Sequence, residues 1–164
     1  MTLGTKPYTI RNDLRPGDLG EIVRLHGVLY AAEHGFDSTF EPYVAAPLSE
    51  FSLKRSPRER IWVVERGGAV AGSVAVVDAG NETSQLRWLI LDPSLRGRGL
   101  GKQLVGEAVR FSRESGYSRM ILWTVGELTT AIAIYESYGF RPAESKSHSI
   151  WGRELTEQRY DLDL

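Results

Sequence analysis

Six residues, Arg96-Gly97-Arg98-Gly99-Leu100-Gly101, constrain this chain more than any others. They follow an apolar run, Leu86 to Leu91, and the pair Asp92-Pro93, and they precede a helical pattern from about Lys102 to Ser115. A strand, a glycine-rich turn and a helix start therefore share one short window. Unsatisfied amide N–H groups and the positive end of the helix dipole converge there, which suits a diphosphate. Two familiar glycine signatures fail. A nucleotide P-loop needs Gly, four residues, then Gly-Lys-Ser/Thr, but Gly101-Lys102 is followed by Gln103 and the upstream glycine position is Arg96. A dinucleotide fingerprint counted from Gly97 puts its third glycine on Lys102, and from Gly99 on Leu104. What remains is Arg-x-x-Gly-x-Gly after a strand and a proline.

The rest of the chain sets the frame around that loop. Its 164 residues suit one domain, 1–164, with a real core. A net charge of −1 gives no general attraction to nucleic acid or to an anionic membrane, and no partner of either kind is expected. There is no cysteine, so disulfides, thiolate catalysis and cysteine metal sites are excluded. No signal-peptide core opens the chain and no run approaches the roughly 20 apolar residues of a membrane span, so a cytoplasmic protein is expected.

Hydrophobic periodicity gives the element order. Tyr8–Arg11 reads as a strand. A helix opens at Pro16 and Asp18 and stops at Gly35, and a second spans Thr39 to about Phe51 with an interruption near Pro47. Ile61–Glu65 and Val70–Val77 flank a Gly67-Gly68 hairpin turn, and Asn81–Ser84 turns into the strand Leu86–Leu91. After the glycine loop come a helix ended by Gly116, a strand Met120–Thr124, and a helix capped by Thr129 or Thr130 and stopped by Gly139. Ser147–Trp151 and Arg159–Leu162 read as closing strands. The order β-α-α-β-β-β-α-β-α-β-β predicts a mixed α/β (α+β) fold, a central twisted mixed sheet flanked by helices.

That order resembles the GNAT fold of the GCN5-related N-acetyltransferases, and two motifs make the resemblance specific. One is the strand–Pro–loop unit from Leu89 through Gly101. The other is Ala131-Ile132-Ala133-Ile134-Tyr135-Glu136-Ser137-Tyr138-Gly139-Phe140, which looks like the family segment A-x-x-x-Y-E-x-x-G-F. The stretches His26–Tyr30 and Glu33–Phe36 and the ending Tyr160–Leu164 also resemble the acetyltransferase half of bacterial MarR–GNAT fusions.

The resemblance implies an N-acetyltransferase that uses acetyl-CoA and attacks directly in a ternary complex. A non-catalytic acyl-CoA-binding module is the alternative. Arg96, Gly97, Arg98, Gly99, Leu100, Gly101 and Lys102 would hold the diphosphate, with Arg98 equally readable as a solvated surface residue. The backbone of Leu89, Ile90 and Leu91 would pair with the pantetheine arm, and an N–H of Leu91 or Ile90 would polarise the thioester carbonyl. Relatives open the sheet between this strand and Met120–Thr124, where Trp123 either lines the gap or packs the core. Tyr135 would donate a proton to the leaving sulfur. Many relatives place a Glu on the strand before the loop, whereas this chain has Gln85, Arg87 and Trp88. They also often have Asn where Leu128 stands, so that cofactor contact is either absent or replaced by Thr129 or Thr130.

A primary amine is only about one part in two thousand neutral at pH 7, so a base matters. Glu33, His34, His26, Glu127 and His148 are the candidates. His26, Tyr30, His34 and Phe36, with Phe40, lie where relatives line the acceptor pocket; an aromatic wall there suggests a small or partly apolar amine, and packing of the helix pair is an equal reading of the same residues. The acceptor is expected to be a small-molecule or peptide amine. Closing strands of this fold can also pair across a homodimer.

Overall fold

A computed structural model describes residues 7–164. The elements run β1 (Thr9–Arg11), α1 (Asp18–His34), α2 (Phe40–Lys54), β2 (Arg60–Arg66), β3 (Ala69–Asp78), β4 (Thr83–Leu91), a 3-10 turn (Pro93–Leu95), α3 (Leu100–Glu114), β5 (Arg119–Val125), α4 (Thr129–Ser137), β6 (Arg141–Ile150) and β7 (Arg153–Asp163). This is the order expected from the sequence. The strands form one seven-stranded sheet in the order β1-β2-β3-β4-β5-β7-β6. Among the described residues, only the β4–β5 pair is parallel.

Both faces of the sheet are covered, which explains why β2 reads as a continuous apolar run rather than an alternation. Trp62 and Val64 enter the core under α3, while Ile61 and Val63 enter the core under α1 and α2. On α3, Leu104, Val105, Ala108, Val109 and Ser112 are buried at helical spacing, and Ser112 meets Ser84 of β4 at 2.9 Å. On α2, Phe40, Val44, Leu48 and Phe51 repeat every three or four residues and are all buried. That stripe carries the helix through Pro47, where an interruption was expected; the packing outweighs the one backbone bond that proline removes.

Other boundaries shift for physical reasons. Asp18 does more than favour a helix start. It is a buried carboxylate 2.7 Å from Arg11 Nη1, and Arg11 Nε reaches Glu65 at 2.8 Å, so β1, α1 and β2 are joined by one guanidinium. At the start of α4 the capping position belongs to Leu128, with no side-chain cap, rather than to Thr129 or Thr130. β6 begins six residues earlier than the expected Ser147. It is an edge strand exposed along most of its length, so no apolar alternation announces it.

The feature that positions the site lies in β4. Between the pairs Ser73↔Ile90 and Ala75↔Arg87, β3 has one intervening residue and β4 has two. This is a β-bulge, and Trp88 within it has φ +51°. An L residue there costs roughly 1–2 kcal/mol. The conformation is held by Ser73 Oγ, which donates to Trp88 O at 2.7 Å, and by the Trp88 ring against Phe51 at 5.5 Å. The extra residue exchanges the faces of the strand: Ser84 and Leu86 point toward α3, whereas Trp88, in the bulge, points toward α2. β3 lies tight against this region, since a Cβ on Gly72 would stand 2.6 Å from Ile90 O. The bulge also falls where β4 leaves β5. Their pairing covers only Thr83–Gln85 against Arg119–Ile121, while β5 goes on with β7 to Val125. From Leu86 onward, β4 therefore has an open edge facing a cleft.

Candidate active site

At the head of that cleft stands the glycine loop. Asp92 N–H donates to Ala71 O at 2.8 Å, and Asp92 Oδ1 accepts from Ser94 N at 3.0 Å, so β4 ends in a fixed turn. Gly97 and Gly99 have φ of +75° and +77°, conformations that side-chain-bearing residues resist. Among the described residues, none of the amide N–H groups of Gly97 through Lys102 donates to an internal acceptor. The next, Gln103 N–H, closes the first helical bond to Gly99 O at 3.0 Å. The amides are left free, and Arg98 and Lys102 beside them are exposed.

Arg96 behaves differently from its neighbours. Its guanidinium reaches Glu33 of α1 at 2.5 Å, and its Nε donates to Leu91 O at 3.2 Å. The side chain thus ties the loop to α1 and to the end of β4. Between α3 and α4 a groove of about 470 Å³ opens beside the loop, lined by Lys102, Thr129, Thr130, Ala133, Ile134 and Ser137. Tyr138 Oη donates to Lys102 O at 2.7 Å and joins the two helices, a structural role.

Below the β4–β5 opening lies a second cavity of about 130 Å³. His26, Tyr30 and Phe36 line it together with Tyr135 and Trp123. His34 stands behind, its ring against Tyr30 and Phe36 and its carbonyl accepting from Arg153. Trp123 belongs to neither core cluster; it edges the cavity and carries Lys146 4.6 Å above its ring. Tyr135 is buried, packs on Phe140, and has no hydrogen-bond partner for its hydroxyl among the described residues. Burial, with the nearby Tyr30 phenol adding to it, pushes its pKa far above that of an ordinary phenol. Burial likewise pushes Tyr30 up to about 12.

The candidate bases separate on geometry. Glu33 is taken by Arg96, and Glu127 pairs with Arg153 at 2.8 Å. His26 is buried, and its Nδ1 lies 2.8 Å from Ile22 O, so Nδ1–H donates and Nε2 keeps its lone pair. Burial pushes its pKa down to about 4. His148 Nε2 meets Glu157 Oε2 at 2.7 Å, and Glu157 lines the cavity. Glu157 is absent from the sequence candidates. The expected closing strand started at Arg159, whereas β7 starts at Arg153, and alternation from buried Leu155 turns Glu157 toward the α1–α2 face.

The acetyltransferase (GNAT) family matches residues 28–140. This chain belongs to the GNAT family. An N-acetyltransferase of Schizosaccharomyces pombe is 35% identical over 73% of this chain and 75% of its own. The N-acetyltransferase YjgM of Escherichia coli is 36% identical over 67% of this chain and 69% of its own. Among solved structures, the acetyltransferase yncA of Salmonella typhimurium, described with its cofactor acetyl-CoA, shares the fold. Its TM-score is 0.72 at 19% identity, over 96% of this chain and 94% of that one. The GNAT chain is an acetyl-CoA-dependent N-acetyltransferase. Among the described residues, no helix is long and apolar enough to cross a membrane.

His26 gives the fold an acid-sensitive point. A histidine in the unfolded chain titrates near 6.5, and in the fold near 4. Between those values the unfolded state binds more protons, so stability is complete above about pH 6.5 and is lost as pH falls toward 4. The full shift corresponds to about 3 kcal/mol. The melting temperature is expected to drop across that window in the native chain. In His26→Leu it should stay nearly level until carboxylates titrate.

Proposed function

We propose that the acyl carrier enters between β4 and β5 with its diphosphate on the 96–102 loop, and that the amine waits in the cavity beneath α1 and α2. The observation that carries this is the parting of β4 from β5 directly below a run of amide N–H groups without acceptors among the described residues. Bound there, acetyl-CoA supplies an acetyl group activated as a thioester and a sulfur that can leave. The residues present suit it. Gly97 and Gly99 bring the amides to the diphosphate, and Arg98 and Lys102 add charge. Arg96, through Glu33 and Leu91 O, holds the loop in place. Thr130 stands on the groove wall, and the free edge of Leu89, Ile90 and Leu91 offers main-chain groups to the pantetheine amides.

Tyr135 Oη holds the proton that the departing sulfur requires. Its raised pKa keeps it protonated throughout the working range. Glu157 accepts the ammonium proton of the acceptor and is coupled through Oε2 to the half-exposed His148, an outlet toward solvent. α4 serves both compartments: Thr130 and Ile134 face the groove, while Tyr135 faces the cavity. Both substrates can therefore be held at once, which favours direct attack in a ternary complex. The same reading takes a small-molecule or peptide amine as acceptor, a reaction in the cytoplasm, and closing strands able to pair across a homodimer.

A screen of diverse amines with acetyl-CoA tests this reading by thiol release. Amine-dependent release with intersecting initial-velocity lines is expected. Parallel lines would contradict the ternary complex, and cofactor binding without release over any amine would contradict the assignment of the cavity.

A further inference from the structure

The cavity holds more charge than the transfer of an acetyl group to a simple amine requires. Arg87 projects from β4 into it, half-buried, and forms no ion pair or hydrogen bond among the described residues. Its guanidinium carbon lies 4.8 Å from the centroid of the Trp88 ring. Burial pulls its pKa down, with Tyr43 opposing. An uncompensated cation in a half-buried site is costly and is kept where something else supplies the counter-charge. Glu157 lines the same cavity from β7, bound to His148, yet Arg87 and Glu157 make no ion pair with each other.

Two further groups point the same way. Among the described residues, Trp88 Nε1 and Thr124 Oγ1 are buried without a hydrogen-bond partner, and both residues line this cavity. Each is only 7% exposed. Polar atoms so placed are normally satisfied, and a ligand is one way to satisfy them. The arrangement is sided. The β4 bank carries two donors, the guanidinium and the indole N–H, with the Gln85 amide beside them. The opposite bank offers the Glu157 carboxylate and the Thr124 hydroxyl, on β7 and β5.

We propose that the acceptor is a small amine carrying its own acid group, an α-amino acid, with its carboxylate on Arg87 and Trp88 Nε1 and its ammonium on Glu157 and Thr124 Oγ1. The proposal rests on the reading of this cavity as the acceptor site. The aromatic wall of Tyr30, Phe36, Phe40 and Trp151 faces an apolar side chain. A polyamine would meet Arg87 as a like charge, and an uncharged amine would leave Arg87 and Trp88 Nε1 unpaired.

Calorimetry on the protein saturated with CoA measures this without turnover. L-Phenylalanine and L-leucine are each compared with the amine lacking the carboxylate, 2-phenylethylamine and 3-methylbutylamine. The amino acids are expected to bind at least about thirtyfold more tightly. Arg87→Gln should cut that advantage to less than threefold, and Arg87→Lys should restore part of it. In initial-velocity work the loss in Arg87→Gln should fall mainly on KM of the amino acid. CoA affinity of each variant checks that the cleft is intact. Equal binding of amino acid and amine, binding of neither, or an equal loss of both in Arg87→Gln would overturn the proposal. If amines without a carboxylate are acetylated readily and no preference exists, only this proposal falls. If CoA itself fails to bind, the reading of the cleft falls first.

Discussion

Tyr135→Phe is expected to lower kcat by about a hundredfold while leaving the affinity for CoA within threefold. Proton donation by a placed side chain is worth about 10²- to 10⁴-fold, and the lower end suits a sulfur leaving group, which departs with less need of a proton than an alkoxide or amine. The variant keeps the ring that packs on Phe140 and removes only a hydroxyl without a partner among the described residues, so the fold should be untouched. The pH profile provides a second reading. The pKa of Tyr135 is raised, so its donor form persists above pH 10, where an ordinary phenol would already be ionising. Activity should climb from pH 7 to about 9.5 as the acceptor amine loses its proton, with no decline from the tyrosine in that range. His26, at about 4, is neutral throughout and adds no limb. These outcomes are read in steady-state rates with thiol detection. An unchanged kcat in Tyr135→Phe would remove the residue from its assigned role.

Gly99→Val is expected to weaken CoA binding by about a hundredfold or more with little change in melting temperature of the free protein. Gly99 sits at φ +77° with open space where a Cβ would go, so the obstacle is backbone conformation rather than crowding. A β-branched residue there is a genuine outlier, and the loop will turn to relieve it. Each amide hydrogen bond to a charged oxygen contributes about 1.5–3 kcal/mol, so misdirecting two of them accounts for the loss. The loop is exposed and α3 is anchored by buried Leu100 and Leu104, which limits the damage to binding. Calorimetric titration with CoA, set beside a thermal melt, separates the two effects.

Much of this was legible in the chain. The glycine loop, the helix after it and the Tyr135 segment announce themselves because local chemistry forces them: glycine at positive φ, helical spacing, a stop at Gly139. What escaped depends on distant pairing. The bulge at Trp88 carries neither glycine nor proline, and only β3, through Ser73, reveals it. The pairing of Arg96 with Glu33, 63 positions away, has no local signal in the sequence. Glu157 was hidden because β7 starts well before its apolar end. Arg87 looked like a missing carboxylate rather than a cation facing one across a cavity. The expected break at Pro47 failed because four buried side chains of α2 outweigh one absent N–H.

The central claim concerns main-chain amides, which side-chain deletion cannot reach, so amide-resolved NMR is the direct measurement. Titrating ¹⁵N-labelled protein with CoA is expected to give its largest shifts at Gly97 through Lys102 and along Leu89–Leu91. Pantetheine, which lacks the diphosphate, should move the Leu89–Leu91 amides and leave the loop amides near their free positions. Saturable CoA binding with the Gly97–Lys102 amides unmoved would contradict the account.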